Sequence, residues 1–255
     1  MVSSDDKPAL HDGLGVAHDL HATLAAAGEH APLVLVGLSL GGPYISLYTG
    51  LYGDEVAGLV YVDAAHPDQR RRTEAVLGKL PNDKALIQDL GGKASWTGLP
   101  RLVTLFARNS PAMSSLPAST RTMSLAYFPS SLRALSAERD AFEATLDEAG
   151  AYRDLGSRPV VVLSHGQAVD EVPQAKSRAF EAIWRDLQVD MAHWSSCGVQ
   201  RTVGEARHYI PQDDPDAVVA AVREVVDQVR AGAQPKRAGD NADTSRPCAT
   251  TSAGG

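Results

Sequence analysis

The 255 residues suit one large domain, or one domain with a substantial insertion, and can bury a sizeable core without metals or disulfides. With 44% hydrophobic and 22% charged residues, the composition is that of an ordinary soluble globular protein. A net charge of −7, with no basic stripe interleaved with aromatics, excludes a general nucleic-acid binder.

The start, MVSSDDKPALHDG, is acidic and lacks the basic and apolar regions of a signal peptide. No apolar run approaches the roughly 20 residues needed to cross a bilayer. Two cysteines, Cys197 and Cys248, cannot form a framework, and nothing in the sequence demands an oxidising compartment. These features predict a cytoplasmic protein without a membrane span.

In chain order, Gly15 to Ala27 predicts an amphipathic helix, with Leu20 and Leu24 at helical spacing and Gly28 to end it. Leu33 to Val36 is a short apolar run without alternation, as expected of a parallel strand covered on both faces. A glycine-rich turn, Gly37 to Gly42, follows. Pro43 suits the first turn of a helix running toward Gly53, and Ala57 to Val62 predicts a second buried strand. This βαβ unit marks an α/β sheet.

The stretch from Pro67 to Leu155 is too long for a plain connection and must hold structure of its own. Leu99 to Phe106 and Ser131 to Leu146 read as helices, so an inserted helical lid is expected. Pro159 to Leu163 (PVVVL) predicts a third strand and Val199 to Gly204 a weaker fourth. Between them, Phe180, Ile183, Trp184, Leu187 and Met191 mark a helix within Ser177 to His193. Asp214 is a good N-cap and Pro215 a good first residue for a closing helix with a valine face from Val218 to Val229. The expected organisation is a core in two halves, 1–66 and 156–230, a lid at 67–155, and a disordered tail at 231–255.

Gly37-Leu38-Ser39-Leu40-Gly41 matches G-x-S-x-G in the required context, after a strand and before a helix. Such a serine sits on a strained turn and projects above the C-terminal edge of the sheet, so Gly37 and Gly41 are expected to lack side chains because strand and helix crowd there. The Leu40 N–H, at the helix N-terminus, can support a developing oxyanion.

VLVGLSLGGPYISLY, VAGLVYVDAAHPDQ and ARHYIPQDDPDAVVAAVREVV resemble the α/β-hydrolase fold family, in particular its small esterase-like members. The resemblance implies a doubly wound, mostly parallel sheet and a serine, an acid and a histidine in that chain order. His208, after the last strand and before the Asp214-Pro215 helix start, matches the family's histidine. His66 and His165 stand at strand ends where they could line the site. His11, His18, His21, His30 and His193 read as solvated or packing residues.

Two places could supply the acid: Asp63 at the end of the second strand, and Asp170 in the loop after PVVVL. A carboxylate held against an imidazole favours a rigid strand end, hence Asp63, with Asp170 as the alternative. The resemblance implies attack by Ser39 on a carboxylic ester, or in second place an amide, through an acyl-enzyme. The lid's apolar residues suggest a small-molecule substrate with an apolar group. No cofactor or metal is expected, and the oligomeric state is open. The alternatives are a non-catalytic binding protein on the same scaffold and cofactor-free haloperoxidase-type chemistry.

The chain departs from the family at two points. The residue before the serine is often histidine and here is Leu38. The segment before Leu33 holds one helix, where the family carries several strands and a His-Gly loop that gives the second oxyanion N–H. The N-terminal strands are therefore expected to be missing, with the activity of the chain as it stands open.

Overall fold

A computed structural model describes residues 12–78, 118–169 and 172–232. The chain divides into two compact units, one of Met1–Leu80 with Glu143–Gly255, the other Pro81–Phe142. Four strands, β1 (Leu33–Leu38), β2 (Val56–Val62), β3 (Pro159–His165) and β4 (Cys197–Val203), form a parallel sheet in the order β1-β2-β3-β4.

Helix α1 (Gly13–Ala27) is opened by Asp12, whose side chain accepts from the Gly15 N–H, and closed by Gly28 in the left-handed conformation at φ 74°. Helix α2 (Gly41–Leu51) joins β1 to β2, and α3 (Gln69–Leu77) follows β2. Helix α4 (Ala118–Ala149) is one continuous element that contains the expected Ser131–Leu146 segment. The expected helix over Leu99–Phe106, residue Asp170 and nearly all of the tail lie outside the described residues. Helix α5 (Gln174–Ala192) joins β3 to β4, and the short α6 (Ile210–Asp213) precedes α7 (Pro215–Arg230). Asp214 caps α7 through the Ala217 N–H, with Pro215 at the first helical position.

Both faces of the sheet are covered, which is why the strands read as unbroken apolar runs. Alternate residues Leu35, Leu59, Tyr61, Val160 and Val162 pack with Leu47 and Tyr48 of α2 and Met191 of α5. The other set, Val60, Val62, Val161, Leu163 and Val203, packs with Ala221 and Val225 of α7 and with Ile210. β2 and β3 are buried throughout. β4 is weak in sequence because among the described residues it is an edge: Gln200, Arg201 and Thr202 break its apolar run, and Arg201 pairs with Glu224 of α7. β1 reads as a central strand, yet among the described residues it pairs with β2 alone, and Val36 is 46% exposed.

No helix among the described residues is long and apolar enough to cross a membrane.

Candidate active site

The strands deliver their C-terminal ends to one edge of the sheet, and the predicted residues converge there. Two described non-glycine residues have positive φ: Ser39 at 53° and Asp63 at 44°, each immediately after a strand. That backbone region costs on the order of 1–3 kcal/mol per residue and persists only where the surroundings enforce it. For Ser39 they do: its N–H donates to Val62 O, and its carbonyl accepts from the Gly42 and Ala65 N–H groups. Asp63 is held by its N–H to Leu163 O at 2.7 Å.

Crowding at the turn falls on Gly37 and Gly42, not on Gly37 and Gly41 as expected. A Cβ on Gly37 would lie 2.4 Å from Gly41 O, and one on Gly42 would lie 2.4 Å from Ala64 Cβ. A Cβ on Gly41 meets nothing within 4 Å, because the first helical residue points away from the strand. Leu40 stands at the α2 N-cap, at the positive end of the helix dipole.

His208 lies in the loop between β4 and α6. Gly166 and Gln167 N–H groups both donate to Ala206 O, and Arg207 is tied to Asp213 through its backbone N–H and its guanidinium. These bonds brace the loop on both sides of the histidine. His208 Nε2 is 3.1 Å from Ser39 Oγ, and His208 Nδ1 is 2.6 Å from Asp63 Oδ2. With the Nδ1–H donated to the carboxylate, Nε2 faces the serine hydroxyl as an acceptor. The structure thus brings Ser39, His208 and Asp63 into one hydrogen-bonded chain.

Asp63 carries more than His208. Its carboxylate is fully buried. Oδ1 accepts the His165 backbone N–H at 3.1 Å and the Trp184 indole N–H at 2.8 Å, while Oδ2 accepts from His165 Nδ1 at 2.7 Å as well as from His208. Burial alone would push this carboxyl up; the bonds from His165, His208 and Trp184 and the charge of His165 outweigh it and hold the carboxyl at about 2. His165 is itself buried, and its Nε2 lies 2.7 Å from Glu181 Oε2. Burial disfavours its charged ring, but the carboxylates of Asp63 and Glu181 prevail and raise its pKa above the ordinary histidine value.

His165 is thus more than a residue lining the site. Trp184, which reads in sequence as a helix-core residue, is an Asp63 donor, and Glu181 was legible only as one position in the first half of α5. The signal that could have found them is the 181/184 spacing, which puts both on the α5 face turned to His165. His66 serves structure instead: its Nδ1 accepts the Asp68 N–H, so its Nε2–H donates to Asp190 Oδ2 at 2.9 Å. Burial lowers its pKa despite that carboxylate. His18 and His21 pack on Tyr52, the latter stacked at 3.9 Å.

Asp63, His165 and His208 also bring three potential metal-ligand atoms within 4.8 Å of one another. The separations of 2.6 and 2.7 Å from the carboxylate are those of hydrogen bonds; ligands on a tetrahedral zinc stand roughly 3.3 Å apart. The cluster is a proton-sharing network in its present geometry.

A serine lifted on a left-handed turn between a parallel strand and a helix, facing a histidine from the loop after the last strand, defines a hydrolase of the α/β class. The chain belongs to the alpha/beta hydrolase family, whose model matches residues 3–221. Among solved structures it is similar to a putative epoxide hydrolase from Pseudomonas aeruginosa (18% identity, 90% of this chain and 76% of that one, TM-score 0.58). It is also similar to a putative acyltransferase from Salmonella enterica (14%, 86% and 71%, 0.54) and an esterase from Exiguobacterium antarcticum (13%, 89% and 78%, 0.51). At these identities the likeness is one of fold. No curated protein matches the chain. The protein is a hydrolase acting on a small molecule.

Proposed function

We propose that the protein cleaves a carboxylic ester through an acyl-enzyme on Ser39. The observation that carries this reading is the continuous chain from Ser39 Oγ to His208 Nε2 and from His208 Nδ1 to Asp63, at 3.1 and 2.6 Å. Ser39 Oγ attacks the carbonyl carbon while His208 Nε2 takes the hydroxyl proton, and buried Asp63 stabilises the imidazolium. The oxyanion forms toward the Leu40 N–H. As the tetrahedral intermediate collapses, His208 returns the proton to the departing alcohol. Water then repeats the sequence on the acyl group, with His208 again as base, and frees the acid.

Asp63 is our choice of acid over Asp170 because its carboxylate is already saturated and aimed at His208. The insertion after Asp63 is assigned as the lid, on its place in the chain between two strands of one sheet, and its apolar residues favour a substrate with an apolar group.

The test is intact-protein mass spectrometry during turnover of p-nitrophenyl esters of increasing acyl length. The proposal expects a p-nitrophenolate burst and an added acyl mass located on the Ser39 peptide. Steady turnover with no acylated species, even when quenched in acid within milliseconds, would contradict it.

A further inference from the structure

The Asp63 carboxylate is shared, and the residue that shares it is itself held by a second carboxylate. His165 Nδ1 meets Asp63 Oδ2 at 2.7 Å and His165 Nε2 meets Glu181 Oε2 at 2.7 Å. A neutral imidazole has one donor and one acceptor nitrogen, so it cannot satisfy both contacts; an imidazolium donates at both. Glu181 is fixed for this task, because its other oxygen accepts the Val169 N–H at 3.1 Å. Trp184 stacks on the His165 ring and donates to the other oxygen of Asp63, closing the cage.

We propose that His165 is a positioning residue for the reaction: kept as an imidazolium by Glu181, it donates to the Asp63 oxygen that faces His208 and holds that carboxylate charged and in place. This role rests on the reading of Ser39 and His208 as nucleophile and base. A cation bonded to the oxygen that faces His208 helps keep the buried Asp63 carboxyl ionised against the cost of burial.

The charged groups around His165 are Asp63 from β2, Glu181 from α5 and His208 from the loop after β4. Arg178 and Arg185 of α5 are exposed and line, with His165 and Glu181, an open cleft of about 720 Å³. The arginines oppose the imidazolium from a solvated position, whereas the two carboxylates touch it in a buried one. The carboxylates prevail.

Two measurements test the proposal. In histidine-¹⁵N-labelled wild-type protein, both ring nitrogens of His165 should carry protons at pH 7; a ring with a single N–H at that pH overturns the proposal without touching the serine–histidine reading. The second is the pH dependence of fluorophosphonate labelling at Ser39, in wild type and in His165→Asn. The asparagine side-chain nitrogen replaces Nδ1 as a donor to Asp63 but removes the charge. With the cation gone, the Asp63 carboxyl rises toward its ordinary value and the acid limb of labelling should move to higher pH, with the variant at least about tenfold slower than wild type on that limb. A variant slowed by the same factor at every pH, with its limb unmoved, assigns His165 a structural role and overturns the proposal. Wild type that never labels at Ser39 fails the serine–histidine reading, and this role with it.

Discussion

Asp63→Asn is the substitution whose consequences the structure specifies most fully. All four partners of the carboxylate are donors: His165 N–H and Trp184 Nε1–H on Oδ1, His165 Nδ1–H and His208 Nδ1–H on Oδ2. An asparagine amide accepts at one end only. Whichever way it turns, its NH₂ faces two donors, and two hydrogen bonds become clashes. If the NH₂ faces Oδ2's partners, His208 must present an unprotonated Nδ1 and turn an Nε2–H toward Ser39. In that tautomer it cannot take the serine proton, and reactivity should fall by roughly 10⁴, or about 5 kcal/mol at the transition state. The same change leaves the buried His165 imidazolium with Glu181 as its carboxylate partner and an unsatisfied donor at Nδ1, a loss in the range of about 1–3 kcal/mol of stability. For a chain of this size that lowers the melting temperature by about 5 °C. Rates of fluorophosphonate labelling, measured at a temperature where circular dichroism shows the variant folded, separate the two effects. A variant that melts like wild type and labels within tenfold of it would refute the assignment of Asp63; Asp170→Asn should behave in that way.

Stability should fall in acid through the same carboxyl. Its pKa in the folded protein is depressed from 3.8 to about 2, so the stabilisation, about 2 kcal/mol, is complete above pH 4 and lost as pH falls toward 2; denaturant titrations across that window should show it. At the turn, Gly37→Ala should disrupt the elbow and labelling together because its Cβ would strike Gly41 backbone, whereas Gly41→Ala should fold and label normally, as expression yield and probe incorporation will show. Ser39→Ala and His208→Ala should each cost on the order of 10⁴ to 10⁶ in ester turnover, with the double variant no worse than either.

What the sequence made legible follows from local chemistry. The elbow, the strand–turn–helix around it and the capped α7 are written in short runs: glycines beside a serine, unbroken apolar stretches, and Asp214-Pro215 before a valine face. Strand ends were read to within a few residues; β3 extends to His165 because Ser164 and His165 pair with β4 although neither is apolar. The partition of crowding between Gly41 and Gly42 depends on the helix path over Ala64, which no local pattern encodes. The cage around Asp63 was illegible for a related reason. His165, Glu181 and Trp184 come from a strand end and a helix face far from position 63 in the chain, and only the register of β2 against β3, which bonds the Asp63 N–H to Leu163 O, brings them together. A histidine after a strand does not by itself say which carboxylates will flank it.

The central claim is that Ser39 is a nucleophile made reactive by His208. The most direct measurement is the second-order rate of fluorophosphonate attachment, with the modified peptide sequenced, in wild type and in His208→Ala. The account predicts a single adduct on Ser39 in wild type and a rate at least a thousandfold lower when His208 is removed, on the scale general-base assistance provides. Attachment at another residue, or an adduct on Ser39 that forms equally fast without His208, would contradict it.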